Sequence, residues 1–519
     1  MKLRYIFTGI IAAGVILTMS SCNKLLDIPQ HSVAPIDSFY QTDEEAEQGI
    51  VAAYYQFKTS HSGGTSSALW LMNFLGDDVW TGGGNRTDGI YYQYCEYTFG
   101  SDNSTVKNLY QGLYTLIYRC NLIIERVKPE SEIKSRAIAE AKVMRAWADF
   151  ELASLWGTAP VVDHILKPDE YLKGNSQPGE LYAAAEKDLT EAIQSGKLTQ
   201  KKNKNDLTYR MTKEFAMALL GKVYLWQGKN SEAFTQFDAI ISSGLYELQA
   251  DLTNFGTIKG DVSPEDLFCM RGIDDASNSA PNSHTVGMWT GLRAEKYNYE
   301  SNAPFCTYTF GFQSSPTKKL YDTFVKIEGE NGYRLKNFVC TYDRMISEFG
   351  TSVKDGMSIY DNEGFFTQKY RTLKDNGSAY RYPLPDHIMR YDEVLCFAAE
   401  AAVLTNKGDK AVEYINTLRR RAKAPEVASV DLQTVKDESY VELCFEGVRF
   451  QNLVRWGDAA AALAGRGETH PELQPDGTVK YVKYNEPGTV GFKTNKHELL
   501  PFPASEMATN PNMTQNKGW

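Results

Sequence analysis

The chain has 519 residues and a formal charge of −10, with acidic residues outnumbering basic ones 65 to 55. The basic block "LRRRAK" (418–423) is too short to provide the counterion-releasing surface that nucleic-acid binding needs, so nucleic acid is excluded as a partner. This length fits two to four ordinary domains, or one body if helical repeats absorb it, and an aromatic share of 12% suits flat amphipathic binding surfaces as well as a core.

The N-terminus, "MKLRYIFTGIIAAGVILTMSSC", carries Lys2 and Arg4, an apolar run from Ile6 to Met19 interrupted by Thr8 and Gly9, and small residues before Cys22. This is the build of a signal peptide, too short for a permanent span, and it takes the mature protein out of the cytosol. Ending on Cys resembles the bacterial lipobox, although Met19 stands where that motif more often has Leu; the alternative is an ordinary signal peptide with an incidental cysteine. The lipobox reading makes 1–21 a lipoprotein signal peptide and Cys22 the lipidated first residue of a single body, 22–519. Each buried acyl CH₂ contributes about 0.8 kcal/mol, so several chains anchor a protein stably. No other window has the roughly 18 uninterrupted apolar residues of a membrane span. The other cysteines, at 95, 120, 269, 306, 340, 396 and 444, are odd in number and lack any Cys-x-x-Cys, which argues against a disulfide framework or a zinc site. Cys120, Cys396 and Cys444 lie in helical apolar patterns and are expected to be small buried hydrophobes.

After a proline-containing tether (23–35), "DSFYQTDEEAEQGIVAAYYQF" (37–57) has a capping box at Thr42 and Glu45 ahead of an apolar stripe, which predicts a helix. Residues 58–104 are glycine-rich around "WLMNFLGDDVW" and are expected to be loops open to function. Helical periodicity returns at 105–127 and 137–157, a long antiparallel pair stopped by Gly157 and Pro160. Residues 211–244 fit the tetratricopeptide template, with Leu220, Gly221 and Tyr224 on one helix and Ala233 and Phe237 on the next. A second copy at 394–422 puts Ala398, Ala399, Ala402, Ala411 and Ile415 at the same offsets, because a small residue at a helix crossing lets a bulky partner dock. Residues 251–390 show no sustained helical period. The fold class is therefore mainly α: a repeat scaffold at about 37–57, 105–244 and 390–460 with a loop-rich, mixed excursion at about 58–104 and 251–390. Within 438–456, Glu438, Glu442 and Glu446 recur at helical spacing with Arg449 and Arg455 following, a stripe that suits either an acid–base face or a brace of local ion pairs.

These segments together, from "NKLLDIPQ" after Cys22 through "EAKVMRAWADFELASLWGTAPVV", "TKEFAMALLGKVYLWQGKNSEAFTQFDAII", "PLPDHIMRYDEVLCFAAEAA" and "ESYVELCFEGVRFQNLVRWG" to the terminal "HELLPFPASEMATNPNMTQNKGW", resemble the SusD/RagB-like outer-membrane lipoproteins of Bacteroidetes. The resemblance runs nearly end to end. It implies a tetratricopeptide-like scaffold and no catalytic activity. It also implies a lipid anchor in the outer membrane facing the exterior, capture of an oligosaccharide or polysaccharide, and a SusC-like TonB-dependent transporter as partner. In that family the carboxylate stripe recurs whatever glycan is bound, which makes it a brace.

The residues themselves carry no His-Glu-x-x-His, Walker loop or Gly-x-Ser-x-Gly elbow, and the seven His are dispersed without ligand spacing, so no metal or other cofactor is expected. A glycosidase needs only two carboxylates, and Asp77 with Asp78 in "GDDVW" is the most tempting pair. Sugars present hydroxyls around an apolar face, so a binding site needs Trp or Tyr surfaces beside hydrogen-bonding side chains. One loop offers Asp78, Trp80, Arg86, Asp88, Tyr91 and Tyr92, and "NSHTVGMWTGLRAEKYNYESN" (282–302) offers Trp289, Arg293, Tyr297 and Tyr299. Trp147, Trp156, Trp226 and Trp456 sit in helical motifs and are expected to pack between helices. Two further functions stay open: an anchored glycoside hydrolase, and a repeat scaffold that binds only proteins.

Overall fold

The computed structural model describes residues 39–519 apart from 64–65, 87–89, 207, 256, 258–262, 271–289, 305–306, 309–313 and 371–384. The leader, Cys22, the tether, Asp88, Trp289 and Cys306 lie outside the described residues.

Helices come first: α1 (Asp43–His61), α2 (Ala68–Leu75), α3 (Tyr92–Glu96), α4 (Ser104–Arg126), α5 (Glu132–Trp156), α6 (Glu180–Gln194), α7 (Lys213–Trp226) and α8 (Asn230–Ser242). The C-terminal half adds α9 (Lys318–Glu328), α10 (Tyr333–Phe338), α11 (Tyr342–Ser347), α12 (Tyr391–Leu404), α13 (Gly408–Ala422), α14 (Leu432–Glu442), α15 (Arg449–Trp456), α16 (Ala459–Ala462) and α17 (Ala504–Thr509). The Thr42 hydroxyl accepts from the Glu45 N–H at 3.1 Å and the Glu45 carboxylate accepts from the Thr42 N–H at 2.9 Å, the capping box read from the sequence. Helix α5 starts at Glu132 rather than 137 because Ser131 caps it.

Neighbouring helices pack in series, α1 on α4 and α5, then α5 on α6, α6 on α7, α7 on α8, α8 on α12 and α12 on α13. The two repeats are α7–α8 and α12–α13. A Cβ on Gly221 would stand 2.6 Å from the Phe237 ring, so only glycine allows this crossing; Ala398, Ala399, Ala402, Ala411 and Ile415 are all fully buried. Trp147 and Trp156 are buried, while Trp226 packs edge-on to Phe150 and Phe397 between helices. Trp456, partly exposed, is tied to α12 through Glu400. The six described cysteines are buried.

The excursion is mixed, as expected, but more regular than its composition suggests. Helix α9 buries Leu320, Phe324 and Ile327 at helical spacing, and α2, inside the first supposed loop, is almost wholly buried. Short strands complete it: β1 (Val79–Trp80), β2 (Asp266–Met270), β3 (Leu292–Arg293), β4 (Tyr297–Tyr299), β5 (Thr307–Tyr308), β6 (Ser315–Pro316), β7 (Val339–Thr341), β8 (Thr351–Val353), β9 (Ile359–Tyr360), β10 (Phe365–Thr367) and β11 (Asp386–Arg390). The C-terminal hairpin β12 (Thr469–Leu473) and β13 (Val479–Lys483) docks through β12 onto β9 to make a three-stranded sheet, and β1 pairs with β6. A second small core, with Tyr297, Tyr342, Ile359, Phe366 and Leu473, fills this part.

The carboxylate stripe lies on the seam between excursion and scaffold, and it is buried. Helix α14 ends at Glu442, and the chain turns through Phe445 (φ 70°) and Gly447 (φ 74°) before α15, so 438–456 is not one continuous helix. Its partners are distant in sequence. Arg334 on α10 sits 2.8 Å from Glu438 and 2.6 Å from Glu442, and Arg419 reaches Glu438 at 2.9 Å. Arg421 bonds Glu442, while Lys369 and Arg390 each meet Glu446 at 2.5 Å. Instead of Glu446, Arg449 pairs with Asp77, and Arg455 pairs with Glu400. Burial opposes ionisation of Glu442, yet Arg421, Arg334, Lys369 and Arg390 overcome it and hold its pKa far below the ordinary carboxylate range. The stripe is thus a brace, built from buried long-range pairs rather than exposed local ones.

Removing one partner of such a pair leaves an uncompensated buried charge, at a cost of about 3–5 kcal/mol. Glu442→Ala is expected to lower the unfolding free energy by about that amount in urea titration; a loss under about 1 kcal/mol, typical of exposed pairs, would contradict the brace.

Candidate functional site

Asp77 and Asp78 lie just before β1. Their environments pull their acidities apart, as in a catalytic dyad. Burial works against the Asp77 anion, but Arg449 (2.6 Å) and Lys319 (2.5 Å) bring its pKa down to about 2. Burial pushes Asp78 up to about 6, opposed by the Phe445 N–H, which donates to it at 3.1 Å. Neither side chain is open to a substrate, however: Asp77 is 3% exposed and Asp78 fully buried. Thr317 and Tyr440 each donate a hydroxyl hydrogen bond to the Asp77 carbonyl at 2.8 Å. The pair is a fastening between α9, α14, α15 and the loop, with Asp78 fully buried in it.

The chain emerges from this fastening at Trp80, which is half-buried. Its indole N–H donates to Glu363 at 3.1 Å, the buried Arg466 guanidinium lies 4.6 Å from its ring centroid, and the His470 ring is 5.8 Å away. Glu363 also accepts from the Tyr481 hydroxyl at 2.7 Å and from the Lys318 backbone N–H at 2.5 Å. Tyr484, just past β13, packs on His470 (5.3 Å) and donates to Glu472 at 2.8 Å. Tyr481 is 56% exposed and Tyr484 38% exposed; Glu363 links Tyr481 to the half-buried Trp80, and the His470 ring contacts both Trp80 and Tyr484.

Beneath them is a buried charge relay. Gly82 and Gly83, both with positive φ, turn the chain after Trp80. Arg86 then lies against the rings of Tyr92 (4.7 Å) and Tyr484 (5.6 Å) while bonding Glu96 through two nitrogens at 2.5 and 2.7 Å. Glu96 is also 3.1 Å from His470 Nε2, and Asp361 is 2.5 Å from His470 Nδ1. Burial alone would discharge His470, but Asp361 and Glu96 raise its pKa to about 9. The histidine is an imidazolium at neutral pH and supports both Trp80 and Tyr484.

Of the residues expected to contact ligand, the structure links Trp80 and Arg86 through His470 and Glu96. It buries Tyr91, Arg293 and Tyr297, whose rings and guanidinium pack inside the excursion. Tyr299 is partly buried and donates its hydroxyl to the Arg293 carbonyl at 3.4 Å. The sequence reading missed Glu363, Tyr481 and Tyr484. The hairpin signal was present in "LQPDGTVKYVKY", where an Asp-Gly turn precedes tyrosines on an exposed strand.

His470 ties pH to stability in a defined window. Its folded pKa near 9 stands above the ordinary value of 6.5, so its contribution is full below pH 6.5 and is lost as pH rises through about 9. Urea titrations from pH 6 to 10 are expected to show wild type losing up to about 3 kcal/mol more than His470→Gln. Parallel pH profiles for the two proteins would remove the imidazolium from the account.

Two family models match the chain, the SusD family over residues 293–519 and a family described as starch-binding and associating with the outer membrane over 41–225. A SusD-like protein P2 of Formosa agariphila is 24% identical over 97% of both chains, and a SusD-like protein of Bacteroides ovatus is 22% identical over 97% of this chain and 96% of that one. Among solved structures, a laminarin-binding SusD-like protein superposes with TM-score 0.77 at 24% identity, covering 92% of this chain and all of the other. Surface glycan-binding protein A from Bacteroides thetaiotaomicron, in complex with laminarihexaose, superposes with TM-score 0.72 at 22% identity over 91% of this chain and 99% of that one.

Proposed function

The chain belongs to the SusD/RagB-like family, and from that premise we propose that it is a cell-surface glycan-binding lipoprotein that captures an oligosaccharide or polysaccharide and passes it to a SusC-like TonB-dependent transporter. Residues 1–21 are the signal peptide, Cys22 carries the lipid anchor in the outer membrane, and 22–519 form one body. The family description as outer-membrane-associated and the glycan-binding relatives support this reading.

The observation that carries it is the half-buried Trp80 beside the exposed Tyr481, both donating to Glu363, with the exposed Tyr484 bonded to Glu472 nearby on His470. Aromatic rings offer faces for sugar C–H groups, and the carboxylates accept from sugar hydroxyls. The protein binds without cleaving. That part of the proposal is supported by the sequestration of Asp77 and Asp78, the pair a hydrolase would have used.

Calorimetric titration against a panel of glycans, with product analysis of the same mixtures, tests the proposal. At least one glycan is expected to bind and to be recovered intact. Replacing a central aromatic anchor costs about 2 kcal/mol or more, so Trp80→Ala and the surface variant Tyr481→Ala should each weaken binding roughly 30-fold. Release of shortened sugars, or unchanged affinity in both variants, would overturn it.

A further inference from the structure

The charge around the aromatic group bears on which glycans it accepts, a point that rests on the glycan-binding proposal. Glu363 Oε1 accepts from Tyr481, and Oε2 accepts from both Trp80 and the Lys318 backbone. A carboxylate offers about four acceptor positions, so one remains for an incoming hydroxyl. Among the described residues Glu363 forms no ion pair, and neither does Glu472, whose second oxygen accepts from Ser358 at 3.1 Å.

Among the described residues, the cations nearby other than Lys480 are bonded elsewhere. Arg86 is bound bidentately by Glu96, and both His470 nitrogens face carboxylates. Arg466 lies beneath Trp80 and donates to the Val79 carbonyl and to Cys95 Sγ. Lys318 is held by Asp322 and Lys483 by Glu486, while Lys480 stands opposite Glu472 in the strand register without pairing to it. Among the described residues, Glu363, the carboxylate that Trp80 and Tyr481 share, thus has no cation at ion-pair distance.

We infer that Glu363 makes this site selective for neutral glycans, accepting hydroxyl donors and rejecting uronate or sulfated sugars. A sugar carboxylate or sulfate offers Glu363 only acceptor oxygens and a like charge, whereas a neutral pyranose offers a donor in the same place. The repulsion acts near the surface and is screened by salt.

The test uses the detergent-solubilised full chain, titrated with neutral α-glucan, β-glucan and mannan oligosaccharides and with the same oligosaccharides oxidised at C6 to uronates. Wild type is expected to bind a neutral form about tenfold or more tighter than its oxidised partner, with the gap shrinking as NaCl rises from about 20 to about 500 mM. Glu363→Gln, which keeps an acceptor but loses the charge, is expected to bring the two within about threefold. Should that variant not fold, the salt dependence of wild type decides. Equal or tighter binding of the uronate, or a gap indifferent to both salt and substitution, overturns the selectivity while leaving glycan binding intact. Failure of every neutral and oxidised form to bind overturns the glycan-binding proposal and the selectivity with it.

Discussion

The buried charges at the end of α14 are the constraint on which the rest of the molecule depends. Glu438, Glu442 and Glu446 are removed from water, and each is matched by a guanidinium or ammonium from another part of the chain, including Arg334 and Lys369 from the excursion and Arg390 at the edge of α12. Desolvating this many charges is expensive, and an apolar seam could be equally stable. A network of this kind instead fixes geometry, because any other docking of the excursion on the scaffold would strand a charge.

That geometry is passed to the surface in a few steps. Lys369 also donates to the Glu442 carbonyl at 2.5 Å, and the turn that follows is held by Asn73 of α2, which donates to the Phe445 carbonyl and accepts from the Gly447 N–H. The same turn presents the Phe445 N–H to Asp78, and α15 presents Arg449 to Asp77. Two residues later the chain arrives at Trp80. The half-buried ring is thus the free end of a fastening that begins in the buried network.

The repeat scaffold was legible in the sequence because its determinants are local. Gly221 with Phe237 and the alanines of α12 are close-packing pairs set by spacing along adjacent helices, and the capping box spans four residues. Helix α6 was passed over, although Leu181, Ala185, Leu189 and Ala192 recur along one helical face. The identity of the brace was legible but its partners were not, since Arg334 lies 108 positions from Glu442. The proposed binding surface is legible only in part. Glycines around Trp80 mark a loop, but composition cannot say whether a loop residue points in or out, and Asp78, Tyr91, Arg293 and Tyr297 point in. Tyr481 and Tyr484 come from a hairpin more than 390 positions downstream that only the fold brings to Trp80.

In the proposed function the division of labour is between a helical frame and a small aromatic surface that binds by contact alone. Its carboxylates act as acceptors, its imidazolium as a support, and its tempting acidic pair as an internal bolt. The most direct test is a crystal structure of the protein with a bound oligosaccharide. The expected result is an intact glycan with sugar rings against Trp80 and Tyr481 and a hydroxyl on Glu363. A glycan seated away from these residues, or one cleaved in place, would contradict it.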